Sequence, residues 1–194
     1  MAALPGVLLI SETPENTDTL QTTLKEAGYQ IKSHITVIDD VIEEVERCAP
    51  DIIIVKTESS NNYFMNQLYN LNQENPKPIV FFTDRSDSGL IDSAIKAGVS
   101  AYVVDGLSSD RVKPILDIAK ARFEQDQSLR NELSKTKSQL QERKTIERAK
   151  GLIMKSRKLS EEEAFKALRK LAMDKNQRLI DVATDVISVS ELLM

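Results

Sequence analysis

The sequence predicts an α/β doubly wound domain with a five-stranded parallel sheet, followed by a long coiled-coil helix and a small all-α three-helix bundle. Three observations lead there. Continuous apolar runs of strand length stand at 7–10, 52–55, 79–82 and 101–104, as strands buried on both faces of a parallel sheet require. Amphipathic helical patterns fill the intervals, and strand–helix alternation predicts right-handed crossovers. Past residue 108 the runs stop, and no glycine occurs before Gly151.

Taken in order, the run at 7–10 is the first strand. Thr13 and Pro14 then read as N-cap and first helical turn, Leu20, Leu24 and Ala27 share one face, and Gly28 is the stop. Ile31, Ser33 and Ile35 alternate with polar residues, which predicts a more exposed strand. Val41 and Val45 mark a second helix, and Phe64, Leu68 and Leu71 a third. Ile91, Ala94 and Ile95 mark a fourth, closed by Gly98. The fifth helix is expected to start at Ser108 or Ser109, with Pro114 tolerated near its first turn.

From there to about Ser156 the chain reads as one helix. Ile115, Ile118, Arg122, Leu129, Leu133 and Leu140 recur at spacings of three, four or seven, with Ile146 beyond. That is a coiled-coil seam, irregular because Arg122, Asp126, Thr136 and Arg143 interrupt strict heptads. A solvated single helix is the other reading of so broken a pattern. Ser160 with Glu163 forms a capping box. Ala164, Phe165, Leu168, Leu171 and Ala172 follow on one face, with Phe165 expected to be buried. Leu179, Val182, Ala183, Val186 and Ile187 form the last face, and Ala149, Leu152 and Ile153 of the long helix complete the bundle. The expected boundaries are 1–120 for the α/β domain, 121–145 for the linker helix and 130–190 for the bundle, whose first helix continues the linker. So small a core is marginal alone, and pairing of two copies through residues near 115–145 would support it.

Composition narrows the function. Of 194 residues, 41% are hydrophobic and 29% charged, which suits a folded core. One cysteine, Cys48, and one histidine, His34, leave no material for a disulfide framework, a cysteine cluster, a multi-histidine metal site or a histidine-based triad. Both are expected to be structural, and neither enzyme activity, metal nor cofactor is expected. No apolar run approaches membrane-span length and no basic leader opens the chain, so a cytoplasmic location is expected. The net charge of −4 conceals a division: residues 143–178 carry twelve bases against five acids, a net of +7, and the remainder of the chain nets −11. A basic bundle on an acidic domain is an electrostatic footprint for a polyanion.

The first domain resembles the receiver domain of bacterial response regulators, a flavodoxin-like fold, over roughly residues 4–120. The resemblance lies in strand order and in Pro-Asp-Ile-Ile-Ile-Val at 50–55, Pro-Ile-Val-Phe-Phe-Thr at 78–83 and Gly-Val-Ser-Ala-Tyr-Val-Val at 98–104. Receivers carry two acids after the first strand, a phosphoacceptor Asp after the third, Thr or Ser after the fourth and Lys after the fifth. Those positions here are Ser11, Glu12, Lys56, Thr83 and Asp105, a degenerate phosphoacceptor pocket. An ammonium cannot become an acyl phosphate and repels the divalent ion the reaction uses, so no phosphorylation is expected. Asp51 lies at the far end of the same strand, about 16 Å from Lys56 at ~3.3 Å per residue. If Lys56 and Asp105 meet, they form an internal ion pair in place of the phosphorylated state. Thr83 and Tyr102 match the family's switch residues and read equally as packing residues.

Residues 141–154 (Gln-Glu-Arg-Lys-Thr-Ile-Glu-Arg-Ala-Lys-Gly-Leu-Ile-Met), the capped helix with Leu-Arg-Lys-Leu-Ala-Met at 168–173, and Leu-Ile-Asp-Val-Ala at 179–183 resemble the ANTAR domain over roughly 130–190. That resemblance implies an RNA-binding antiterminator that holds paired stem-loops of leader RNA as a homodimer. A pseudo-receiver ahead of ANTAR resembles the NasT-type regulators of nitrate and nitrite assimilation, which a sensor protein partner controls. The residues expected to meet RNA are Arg143, Lys144, Arg148, Lys150, Lys155, Arg157, Arg169 and Lys170, through phosphates and Arg planes rather than aromatic stacking. Ala149 and Gly151 would let a helix or an RNA backbone approach closely. Two other functions use a basic bundle: a DNA-binding response regulator, and a scaffold gripping an acidic protein.

Overall fold

In the computed structural model the apolar runs become five parallel strands, because each can be covered on both faces only by helices that cross over between them. The structure describes residues 4–13, 17–37, 39–57, 62–84, 87–105 and 108–192. The elements are β1 (Gly6–Ser11), α1 (Asp18–Glu26), β2 (Gln30–Thr36), α2 (Val41–Cys48), β3 (Ile52–Lys56), α3 (Asn62–Glu74), β4 (Ile79–Thr83), α4 (Ser88–Lys96), β5 (Ala101–Val104), α5 (Ser109–Arg157), α6 (Glu161–Asp174) and α7 (Leu179–Leu192). They fall into two compact units, Met1–Gln127 and Ser128–Met194, with α5 contributing to both.

In the first unit the strand order is β2-β1-β3-β4-β5, every pairing parallel. The period-two alternation divides each strand between two cores. Leu8, Ile10, Ile53, Val55, Ile79 and Phe81 meet α2, α3 and α4 through Val41, Val45, Phe64, Leu68 and Leu90. Val7, Leu9, Ile52, Ile54, Val80 and Phe82 meet α1 and the start of α5 through Leu20, Leu24, Val112, Leu116 and Ala119. Each such Val, Leu, Ile or Phe side chain contributes about 1.5–3 kcal/mol by leaving water. β2, the strand expected to be more exposed, is an edge strand and only partly buried. Asp51 works structurally: Oδ2 accepts the Gly6 N–H at 2.6 Å, while its own N–H donates to the Gly6 carbonyl at 2.8 Å. Gly98 follows α4 at φ 81, a conformation that favours glycine, and a Cβ there would also force the Asn72 carboxamide to shift.

Three local expectations need correction. α1 begins at Asp18 with Thr17 at the N-cap position, not at Thr13, whose carbonyl accepts the Ser11 hydroxyl at 2.9 Å in the connecting loop; Pro14 lies outside the described residues. Pro114 lies inside α5 rather than on its first turn, since the Arg111 and Val112 N–H groups bond back to Ser108. Ile95 is 67% exposed, because the buried stripe of α4 runs through Leu90, Ala94 and Ala97 and leaves Ile95 one residue, about 100° of helix, to the side.

The second unit packs the end of α5 against α6 and α7. Its core is Ala149, Leu168, Ala172, Val182 and Ala183, flanked by half-buried Ile146, Ile153, Leu179, Val186 and Ile187. The capping box forms: the Ser160 hydroxyl accepts the Glu163 N–H, and the Glu163 carboxylate accepts the Ser160 N–H at 2.9 Å. Phe165 contradicts expectation. The α6 stripe is Ala164, Leu168 and Ala172, and Phe165, one residue off it, is 40% exposed. Leu171 is exposed for the same reason. Side chains 128–141 are exposed throughout, Leu129, Leu133 and Leu140 included.

Candidate nucleic-acid interface and sheet-edge crevice

The carboxyl ends of β1, β3 and β4 form a crevice lined by Ser11, Glu12, Lys56, Thr57, Thr83 and Asp84. Parallel register puts Ser11 directly beside Lys56. The Ser11 hydroxyl donates to the Thr13 carbonyl and lies 2.7 Å from His34 Nε2 on β2. Burial pushes the His34 imidazole down from its ordinary pKa. Glu12 Oε1 accepts the Thr57 hydroxyl at 2.5 Å. Thr83 is buried at the end of β4, and Tyr102 stacks on Phe81 with ring centroids 6.2 Å apart.

Four of the five pocket residues expected from sequence thus converge. Asp105 does not line the crevice: it is exposed just after β5 in the left-handed region, φ 52. Thr57 and Asp84 line it without having been foreseen, because only the strand ends, not a spacing pattern, bring them there. The crevice holds about 30 Å³, room for one or two waters. Its donors do not fit the Mg²⁺ of receivers: the Lys56 ammonium stands where the third-strand carboxylate would bind, and Glu12 already holds a hydroxyl. Among the described residues, no three His, Cys, Asp or Glu side chains are arranged to hold a metal ion.

In the second unit Arg143, Lys144, Lys155 and Arg157 are exposed on α5, and Arg169 and Lys170 on α6. Arg148 is exposed as well, with its guanidinium 2.7 Å from Glu191 on α7. Lys150 is the exception, and a correction to the expected RNA set. It is 7% exposed, with Nζ 2.6 Å from Glu147 and 2.7 Å from Glu161. Those carboxylates push its pKa up, and it pulls that of Glu161 down. Lys150 joins α5 to the first turn of α6 instead of projecting outward. Arg178 likewise reaches Glu142 at 2.7 Å. Ala149 is fully buried in the helix packing, whereas a Cβ on Gly151 would meet nothing within 4 Å, so packing does not demand that glycine.

A groove of about 570 Å³ opens on α6 and its connection to α7, lined by Phe165, Arg169, Met173, Asn176, Gln177 and Arg178 among others. Sequence reasoning missed it. The available sign was Phe165 itself, one step off the period set by its alanine and leucine neighbours.

Comparison with known proteins places both units. Residues 134–187 match the ANTAR domain family. Over 188 residues the chain is 30% identical to the transcriptional regulatory protein PdtaR of Mycobacterium tuberculosis, a match covering 96% of this chain and 91% of that protein. It is 40% identical over 80 residues to the nitrate regulatory protein of Klebsiella oxytoca, covering 41% of this chain and 20% of that protein. Among solved structures, the signal receiver domain of a modulated diguanylate cyclase from Desulfovibrio desulfuricans G20 superposes with a TM-score of 0.51 at 23% identity, over 63% of this chain and 98% of that one. A CheY-like receiver from Methanospirillum hungatei JF-1 gives 0.53 at 13% identity, over 63% and 98%. At such identities these two show the fold alone. No helix among the described residues is long and apolar enough to cross a membrane.

Proposed function

Because the chain belongs to the family of ANTAR-domain response regulators, with a receiver-like domain ahead of the ANTAR helices, we propose that it is an RNA-binding transcription antiterminator that holds paired stem-loops of a leader RNA. The observation that carries this is the coincidence of the ANTAR match at 134–187 with the basic region at 143–178. Arg143, Lys144, Arg148, Lys155, Arg157, Arg169 and Lys170 present long cations from two adjacent helices. A stem-loop offers phosphates to the ammonium groups and unstacked bases to the guanidinium planes. Two copies pair through the α5 segment carrying Leu129, Leu133 and Leu140, whose exposure in one chain supports a partner helix. The similarity to the nitrate regulatory protein supports nitrate or nitrite assimilation as the process controlled.

The receiver-like unit works without phosphate. With Lys56 at the acceptor position and a donor set unsuited to Mg²⁺, its input is contact with a sensor protein. Incubation with labelled acetyl phosphate and Mg²⁺ leaves the protein unlabelled on this reading; incorporation of label overturns it. Gel shifts of the full chain decide the output. A two-hairpin RNA is retarded with an affinity that falls as salt rises; preference for duplex DNA, or no nucleic-acid binding at all, removes the RNA function.

A further inference from the structure

The groove on α6 has a composition that the basic helices alone do not explain. Phe165, Arg169 and Met173 stand four residues apart, so they form one row along the helix. The row places a guanidinium between an aromatic ring and a thioether. Phe165 is 40% exposed and Met173 73%, on a helix whose Ala164, Leu168 and Ala172 enter the core.

The opposite wall is fixed by backbone. Asn176 ends α6 in the left-handed region at φ 52. The Asn176 N–H donates to the Met173 carbonyl at 3.1 Å and the Gln177 N–H to the Ala172 carbonyl at 3.0 Å, the paired bonds of a Schellman motif. This lock brings two carboxamides to one rim, and among the described residues neither has an internal hydrogen-bond partner. Each carboxamide is both donor and acceptor. Arg178 closes the rim, steadied by Glu142 and still 66% exposed. Among the described residues, no acid lines the groove.

We propose that this groove receives a single unpaired nucleobase of the bound RNA. The base stacks on the Phe165 ring and the Arg169 plane, Met173 fills in beside it, Asn176 or Gln177 hydrogen-bonds its edge, and Arg178 meets the flanking phosphate. The proposal rests on the RNA-binding reading and adds to it a source of sequence selectivity, since phosphate contacts carry none. Three features favour a base over an apolar protein segment. The lining brings two guanidiniums together, Arg178 beside Glu142 and Arg169 with no such carboxylate among the described residues, which suits a polyanion. Planar groups suit a planar ligand. The amides suit a base edge. The volume lies within the ~300–1,000 Å³ of ligand clefts, which accommodates one nucleotide.

The test uses the full-length protein and a hairpin RNA recovered by in vitro selection upon it. Loop nucleotides are replaced one at a time by abasic residues, and affinities are measured for the wild type, Phe165→Ala, Phe165→Leu and Met173→Ala. One loop base should matter: its removal weakens wild-type binding about 5- to 150-fold. Phe165→Ala should weaken the intact RNA within the same range, and combining the two changes should add little to either. Phe165→Leu keeps the apolar contact but not the stacking face, so an equal loss with an unchanged helical circular dichroism spectrum separates stacking from folding. Binding by Phe165→Leu and Met173→Ala within about twofold of wild type, or losses that multiply at every abasic position, overturns the base pocket and leaves the RNA function standing. If selection recovers no RNA whose binding weakens with salt, the RNA function fails and the pocket with it.

Discussion

The two units of this chain are built on opposite economies of apolar surface. The α/β unit buries large side chains on both faces of its sheet, Phe64, Phe81 and Phe82 among them, and the crevice at the ends of β1, β3 and β4 is small and bonded to itself. The helical unit packs around a cluster of five buried residues, three of them alanine, and leaves Phe165, Leu171 and Met173 in solvent. Charge divides with structure: the basic stretch from 143 to 178 nets +7 and the rest of the chain −11. A sheet covered on both faces stays folded whatever becomes of its edge chemistry, so a receiver can lose its acceptor and remain a well-packed domain. The helical unit devotes to its surface what the other devotes to its core, and its stability therefore rests on few contacts.

Substitutions can break or sharpen that contrast. The largest effect is expected from Leu168→Ala, which removes the biggest fully buried side chain of the helical core at a cost of about 2–5 kcal/mol. Amide exchange should accelerate across α6 and α7 while β1, β3 and β4 stay protected; equal acceleration in the sheet would contradict two separate cores. Arg143→Ala combined with Arg157→Ala should weaken RNA about a hundredfold, tenfold or ~1.4 kcal/mol for each lost cation, with no change in thermal midpoint. A drop in midpoint would instead make these residues structural. Ser160→Ala removes the capping box and should cost about 1 kcal/mol, read as a lower urea midpoint for the helical unit.

The smallest effect concerns His34. Burial holds its imidazole below the ordinary value, so the folded state resists a proton that the unfolded chain accepts. Its contribution is complete above the unfolded pKa of about 6.5. It is lost as pH falls from there to the lower folded value. The urea midpoint of the α/β unit should therefore fall between about pH 7.5 and about pH 5.5, and fall less in His34→Gln. An identical pH response in both proteins would remove His34 from the account.

Much of the fold was legible in the sequence because the strongest patterns had one cause each. Runs such as Ile52, Ile53 and Ile54 are apolar throughout because both sheet faces are covered, Gly98 is glycine because the chain leaves α4 at a positive φ, and Ser160 with Glu163 closes a cap on itself. Periodicity was less reliable by a single residue. Ile95 and Phe165 each sit one position off the true stripe, a step so small that only Phe165, beside the Ala164, Leu168 and Ala172 period, gave a local sign of it. The crevice was legible where position after a strand sufficed, as for Ser11, Glu12, Lys56 and Thr83, but Asp105 follows a strand and lies outside the lining. Lys150 looked like any other base in a basic run, because Glu161, which holds it, belongs to another helix. The groove needed the left-handed turn at Asn176, which sequence does not mark as it marks a glycine.

The ion pairs of the helical unit have a thermodynamic consequence for any polyanion it binds. Of the twelve bases between 143 and 178, Arg148, Lys150, Lys166, Lys175 and Arg178 each face a carboxylate of the same chain. The other seven have no such partner among the described residues. Cations condensed on a nucleic acid leave when a protein charge takes their place, at ~0.7 per phosphate contact on a single strand. Seven unmatched bases would then release about five ions, where twelve would release roughly eight, and Arg148 or Arg178 adds to the five only by exchanging its carboxylate for a phosphate. The entropy of that release is the driving force left once the chain has neutralised part of its own charge, and it sets how strongly cellular salt could regulate binding.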